Sequence, residues 1–304
     1  MKVFVTGVNG QLGHDVIKLC LQQGIECVGS GSSDSYRGIN DEVSQADYIQ
    51  LDVRNREAVR QVLSKYKPDA LIHCAAWTNV ETAEAEENYD RVYAINTTGT
   101  ENVAEACREI DCKMLYVSTD YVFGDNGTEP HKADDTNYAP LNVYGKTKLL
   151  GELSIKERLD KYFIVRTSWL FGLNGNNFVK SIINAGKKFG KVYVVNDQIG
   201  TPTYSMDLAQ LLISMMETDK YGVYHASNEG DYISWYDFTC EIFGQAGIKS
   251  KALPVKSENY TCTKVTRPFN SRLDKTKLIK NGFASLPNWQ DGLKRFLSEA
   301  DLLA

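Results

Sequence analysis

Two hydrophobic rhythms alternate along the first 170 residues. Short, nearly continuous apolar runs occupy residues 2–5, 26–30, 48–53, 70–76, 114–117 and 162–167. Runs of that length predict strands of a parallel sheet covered on both faces. Between them, apolar positions recur three and four residues apart. Val16, Ile17, Leu19, Cys20 and Leu21 follow the first run, Val59, Val62 and Leu63 mark a helix at 56–66, and further helical regions fall at 84–110 and 141–153. Strand and helix in alternation, without an internal repeat, predict an α/β fold built on a doubly wound parallel sheet. Beyond residue 170 the alternation loosens into a helix at 178–189, a strand at 191–195 and helices at 205–217 and 234–246. The expected division is residues 1–170 as one domain and residues 171–304 as a smaller α/β lobe. No linker rich in Pro, Gly or Ser separates them, so a shared core is expected.

The first strand runs straight into Thr6-Gly7-Val8-Asn9-Gly10-Gln11-Leu12-Gly13 and then into a helical pattern. Glycines at 7, 10 and 13 suit a tight turn, close backbone approach to a pyrophosphate and close helix packing, with the phosphates at the helix N-terminus. This predicts a Rossmann-type dinucleotide site using Gly7, Asn9, Gly10, Gln11, Leu12 and Gly13. An NAD site usually has an acid at the end of the second strand; here that strand ends in Ser30, Gly31 and Ser32. With no carboxylate to repel a 2′-phosphate, NADPH is expected, NADH being the alternative, and Ser30 and Arg37 are candidate contacts. Asp52 and Val53 are placed beside the adenine, and the small Ala75 and Ala76 beside the ribose and pyrophosphate. Asn96 is assigned to shaping the same site, and His73, within an apolar strand, reads as a satisfied core histidine.

A second cluster follows the run at 114–117. Ser118, Thr119 and Asp120 should emerge at the carboxyl end of a buried strand, where open α/β sheets hold ligands. Tyr144 and Lys148, four apart on a predicted helix, share a face. An ammonium beside a phenol favours its ionised form, so Lys148 is expected to lower the Tyr144 pKa. Tyr144 would then pass a proton to a carbonyl oxygen, with Thr119 hydrogen-bonding the same atom.

Composition narrows the field. A net charge of −5 with scattered Lys and Arg offers no footprint for nucleic acid. Seven cysteines, at 20, 27, 74, 107, 112, 240 and 262, are an odd number without CxxC spacing. They predict reduced thiols and a cytoplasmic setting. No apolar run reaches the roughly 18 residues of a membrane span, and no leader pattern opens the chain.

With TGxxGxxG at Thr6 to Gly13, Ser118-Thr119-Asp120, and Tyr144 paired with Lys148, the chain resembles the extended short-chain dehydrogenase/reductase family of nucleotide-sugar enzymes. Further blocks, Arg166-Thr167-Ser168-Trp169, Gly175-Asn176-Asn177-Phe178 and Arg267-Pro268-Phe269-Asn270-Ser271, extend the resemblance nearly to the end, toward its reductases of 4-keto deoxysugars. The resemblance implies hydride transfer from a nicotinamide to C4 of a nucleotide-linked sugar, with Thr119, Tyr144 and Lys148 catalytic. It also implies that Asp120, Tyr121, Trp169 and Asn177 line the sugar pocket and that Arg267 meets the diphosphate. Some members are homodimers with a magnesium site that includes an acid at the position of Asp15. The preferred reading of Asp15 is an acid in the first helical turn, so no metal ligand is assigned and monomer or homodimer stays open. Two alternatives remain: another nucleotide-sugar reductase or epimerase on the same fold, and a partner-binding subunit like the regulatory subunit of methionine adenosyltransferase.

Overall fold

The computed structural model describes residues 1–303 apart from Asn126, Thr261, Cys262 and Lys264. Its centre is a seven-stranded, wholly parallel sheet. The strands are β1 (Lys2–Thr6), β2 (Glu26–Gly31), β3 (Tyr48–Gln50), β4 (Ala70–His73), β5 (Lys113–Thr119), β6 (Tyr162–Thr167) and β7 (Gly222–His225), in the spatial order 7-6-5-4-1-2-3. Order reverses between β1 and β4, so a crevice opens at the carboxyl ends of these strands. Alternate residues feed two cores. Val3 and Val5 pack with Val16, Ile17, Leu208 and Leu212 on one face, and Phe4 packs with Leu71, Val103 and Tyr116 on the other.

Helices α1 (Gln11–Gln22), α2 (Arg56–Tyr66), α3 (Gly99–Glu109), α4 (Val143–Arg158), α5 (Phe178–Phe189), α6 (Ser205–Met216), α7 (Trp235–Gln245) and α8 (Trp289–Glu299) cover the sheet and build the lobe. Polar caps set their starts: Asn55 accepts from Ala58 N, Asn142 from Gly145 N and Asn177 from Lys180 N, and Ser234 with Asp237 makes a capping box. Gly190, at φ +70°, ends α5 in the left-handed conformation.

The structure redraws two expectations. The helical region expected at 84–110 is interrupted. A short helix at Tyr89–Tyr93 passes through a π-helical turn at Ala94–Thr98 before α3 begins. The division at residue 170 is crossed by the chain itself, because α6 and β7 return to complete the sheet and its core. What remains as a separate lobe is the core of Phe171, Ile183, Val192, Phe238, Trp289 and Phe296, with a two-stranded parallel sheet of Lys191–Val195 and Lys251–Val255. Cys262 lies outside the described residues, and the other six cysteines are free thiols. Among the described residues, no helix is long and apolar enough to cross a membrane.

Candidate active site

A cleft of about 910 Å³ runs along the carboxyl edge of the sheet, from the β1–α1 turn past the end of β5 to the aromatic face of the lobe. At one end the backbone is the recognition surface. Gly7 has φ +74°, and a Cβ there would lie 2.6 Å from Ala75 N; a Cβ on Gly13 would lie 2.5 Å from Gly7 O. Only glycine permits this packing, which opens the α1 N-terminus to an anion and fits the pyrophosphate of a dinucleotide. Asn9, Gly10, Gln11, Leu12, Asp52, Val53, Ala75 and Ala76 line the cleft. The Asn9 side chain ties the turn to the loop after β2, donating to Ser33 Oγ (2.7 Å) and accepting from Arg37 N (2.9 Å). Asp52 pairs with Arg54 (2.6 Å). Hydrogen bonds from that guanidinium hold its carboxyl below the usual carboxylate range.

Three residues assigned to the cofactor sit elsewhere. Ser30 is buried in the sheet: its hydroxyl donates to Val5 O (3.3 Å) and its carbonyl accepts from Gly7 N, so Gly31 and Ser32 line the cleft instead. Arg37 points outward into an exposed pair with Asp34 (3.0 Å). Asn96 is buried behind the wall. It accepts from Trp77 N (2.8 Å) and donates to Thr147 Oγ1 (3.1 Å), joining the segment after β4 to α4. Asn96 lies within the π-helical turn. Asn96 therefore shapes the site without lining it. His73 is a satisfied core histidine, within 2.7 Å of Thr6 Oγ1 and 3.2 Å of Thr100 Oγ1. Burial draws its pKa down to about 3.

At the centre, β5 and α4 bring Thr119, Asp120, Tyr121, Tyr144 and Lys148 to one stretch of wall. Burial pushes the Tyr144 phenol above its ordinary range, a hydrogen bond with Thr119 draws it back, and the Asp120 charge pushes it further up. The fall expected in the Tyr144 pKa is not seen, and Lys148 is not among the groups that shift it. Its Nζ donates to Val117 O (2.7 Å) and lies 3.9 Å from the centre of the Tyr116 ring. Burial lowers its pKa to about 7 against the opposing pull of Glu152 and Cys74. The Tyr144 phenol's own burial, the largest cause of its shift, favours its protonated, proton-donating form. Thr119 Oγ1 donates to Asp120 Oδ1 (3.0 Å) and accepts from Tyr121 N (3.2 Å). Burial raises Asp120 to about 6, with hydrogen bonds from Ser271 and Thr119 holding it down.

The lobe closes the far end. Trp169, at φ +50°, stacks on Trp235 with ring centres 3.7 Å apart, and Phe178 tilts against the same ring at 4.4 Å. All three line the cleft. Asn177 both caps α5 and reaches Gln11 Oε1 (3.0 Å). Arg267 meets Glu81 of the short helix Val80–Ala83 at 2.6 Å and Thr263 at 3.1 Å, and all three line the cleft. The sequence reading missed Trp235, Glu81 and Glu152. Glu152 was open to it: it continues the four-residue spacing of Tyr144 and Lys148 along α4. Asp15, the acid matched to a magnesium position, bonds to His14 (2.9 Å) and to the Ser205 hydroxyl. Among the described residues no group of His, Cys, Asp or Glu is arranged to hold a metal.

Residues 1–302 match the family model described as the RmlD substrate binding domain. A dTDP-4-dehydrorhamnose reductase from Aggregatibacter actinomycetemcomitans is 37% identical over 99% of both chains. The crystal structure of a dTDP-4-dehydrorhamnose reductase from Clostridium acetobutylicum superposes with a TM-score of 0.89 at 36% identity, covering 99% of this chain and 100% of that one. The Bacillus anthracis dTDP-4-dehydrorhamnose reductase, solved in complex with NADP, gives a TM-score of 0.86 at 39% identity, covering 98% and 99%. Since the match runs from the first strand to the last helix, the chain belongs to the RmlD substrate binding domain family.

Proposed function

We propose that this chain is a nicotinamide-dependent oxidoreductase that reduces the C4 keto group of dTDP-4-dehydro-L-rhamnose to give dTDP-L-rhamnose. The observation that carries the reading is the position of a protonated Tyr144 beside Thr119, midway along a cleft with a glycine-built anion site at one end and an aromatic wall at the other. Dependence on a nicotinamide dinucleotide agrees with the NADP complex of the Bacillus anthracis relative. Preference for NADPH is supported by the end of β2, where Gly31 and Ser32 line the cleft and no carboxylate stands.

When bound, the reduced nicotinamide supplies the hydride for the carbonyl carbon. Tyr144 donates its phenolic proton to the oxygen of that carbonyl, and Thr119 hydrogen-bonds the same oxygen as charge develops on it. Lys148 would hold the nicotinamide ribose. Asp120, Tyr121 and Asn177 surround the sugar, and Trp169, backed by Trp235, offers its methyl side a flat apolar face. Arg267, whose fork suits phosphate oxygens, exchanges Glu81 for the substrate diphosphate. The domains follow: residues 1–170, completed by α6 and β7, hold the cofactor, and the remainder of 171–304 supplies the lobe's sugar contacts.

The test is consumption of NADPH in the presence of dTDP-4-dehydro-L-rhamnose, with the product identified by NMR. Stoichiometric formation of dTDP-L-rhamnose is expected. Conversion of the sugar without net cofactor oxidation would assign the chain to epimerisation instead.

A further inference from the structure

Beneath the catalytic residues lies a fully buried ion pair that takes no direct part in the hydride and proton transfers. Arg166 of β6 and Glu152 of α4 are both 0% exposed at their side chains. Arg166 Nε donates to Glu152 Oε1 (2.9 Å) and its terminal nitrogen donates to Oε2 (2.7 Å), a bidentate fork. The remaining guanidinium contacts are the Tyr138 hydroxyl (3.0 Å) and Ala133 O (3.3 Å), with His225 Nε2 at 3.4 Å. A pair so placed gains little stability over apolar packing, because desolvating both charges offsets their attraction.

Its position is more informative than its energy. Glu152 Oε1 also accepts from Ser118 Oγ at 2.6 Å. Ser118 stands directly before Thr119 on β5, and Glu152 stands one helical turn beyond Lys148 on α4. One turn earlier, Lys148 Nζ donates to Val117 O. Two polar rungs, Lys148 to Val117 and Ser118 to Glu152, therefore fasten α4 to the end of β5, and Arg166 fixes the second rung from β6. We propose that Glu152, gripped by Arg166 and Ser118, is a positioning residue for the reduction: it sets Thr119 against Tyr144 and supplies the negative charge that Lys148 faces. This rests on the reductase reading above.

Around Lys148 the titratable neighbours are Glu152 and Tyr144 on α4, Tyr116 on β5, and His73 and Cys74 at the end of β4. His73 is neutral, the Cys74 thiol is pushed up to about 12 by burial, and the Tyr116 phenol is pushed up by burial as well. Glu152, paired with Arg166, is thus the carboxylate that opposes a desolvation favouring loss of the lysine proton.

The decisive variant is Glu152→Leu combined with Arg166→Met, which removes both charges and leaves none unpaired. Two readouts are taken: the ionisation of Lys148, by NMR of lysine labelled at Cε, and the pH profile of kcat. Because Lys148 would hold the nicotinamide ribose as the ammonium, its titration and the basic limb of kcat are expected to move down together by about one unit. A folded double variant with both unmoved overturns the proposal, as the pair would then be structural only. The NMR arm needs no turnover, so the two failures are told apart: a wild-type protein that fails to consume NADPH defeats the reductase reading, whereas an active wild type whose folded double variant keeps the Lys148 titration and the kcat profile defeats this inference alone. Should the double variant not fold, Ser118→Ala decides the positioning role, with kcat falling about tenfold or more, unchanged KM for the nucleotide sugar and an unshifted basic limb. Unaltered kcat in Ser118→Ala overturns it.

Discussion

Across the cleft, the wall formed by β1 and α1 is backbone and glycine, whereas the wall formed by β5 and α4 is buried ionisable side chains. On the first wall, Gly7 and Gly13 press against Ala75 and against each other, with approaches that any side chain would block. On the second, Lys148 sits near pH 7, Asp120 near pH 6, and the Tyr144 phenol lies above its ordinary range, all displaced by burial. Binding a diphosphate needs donors already in place, and the free N–H groups of a helix start supply them. Proton transfer needs groups whose ionisation departs from that in water, and creating them works against stability. The first wall should therefore fail through shape and the second through charge.

The largest expected effect is on chemistry alone. Tyr144→Phe should lower kcat by at least ~100-fold, the lower range for a lost general acid, while NADPH affinity by fluorescence titration stays within about twofold. Next is Gly13→Ala, whose Cβ would meet Gly7 O at 2.5 Å. Overpacking of this kind costs roughly 1–3 kcal/mol, so NADPH should bind about tenfold more weakly, and the thermal midpoint should fall. Unchanged NADPH binding in Gly13→Ala would erase the contrast between the walls.

The charged wall makes its own prediction in stability. The unfolded chain holds the Lys148 proton up to its ordinary pKa, the folded chain only to about 7. The cost of burying the ammonium is therefore fully present below pH 7 and is relieved as pH rises toward the ordinary value. Lys148→Met should raise the thermal midpoint more at pH 6 than at pH 9, while impairing turnover. Asp120 runs the other way. Its folded pKa lies above the usual carboxylate value, so its penalty is absent below the unfolded pKa, grows through about pH 6 and is complete above it. Asp120→Asn should accordingly stabilise at pH 7.5 and not at pH 3.5, by less than the lysine variant. The smallest effect belongs to Arg37→Ala. Its guanidinium meets Asp34 on the surface, so NADPH affinity should change by no more than about twofold.

The same contrast explains what could be read from the sequence. The β1–α1 turn was legible because its constraint is local, three glycines between a strand and a helix, and the meeting of Thr119, Tyr144 and Lys148 on one wall was legible from a strand end and a four-residue helical spacing. Ser30 was misassigned to the cofactor because side-chain parity along a strand decides whether a hydroxyl meets the cleft or the core, and β2 turns it to Val5. Strand β7 escaped because four residues, Gly222–His225, carry too short a pattern and pair with β6 from far along the chain. The state of Lys148 was not legible at all. It depends on burial beneath β4 and β5 and on Glu152, a sum over elements that no four-residue spacing contains.

The most direct measurement is a single-turnover experiment with NADPH deuterated at the transferred position and dTDP-4-dehydro-L-rhamnose, run on the wild type and on Tyr144→Phe. The account predicts deuterium at C4 of dTDP-L-rhamnose in the wild type. In the variant it predicts transfer slowed by at least ~100-fold with the cofactor still bound. Equal transfer rates in the two proteins, or a wild-type product without deuterium at C4, would contradict it.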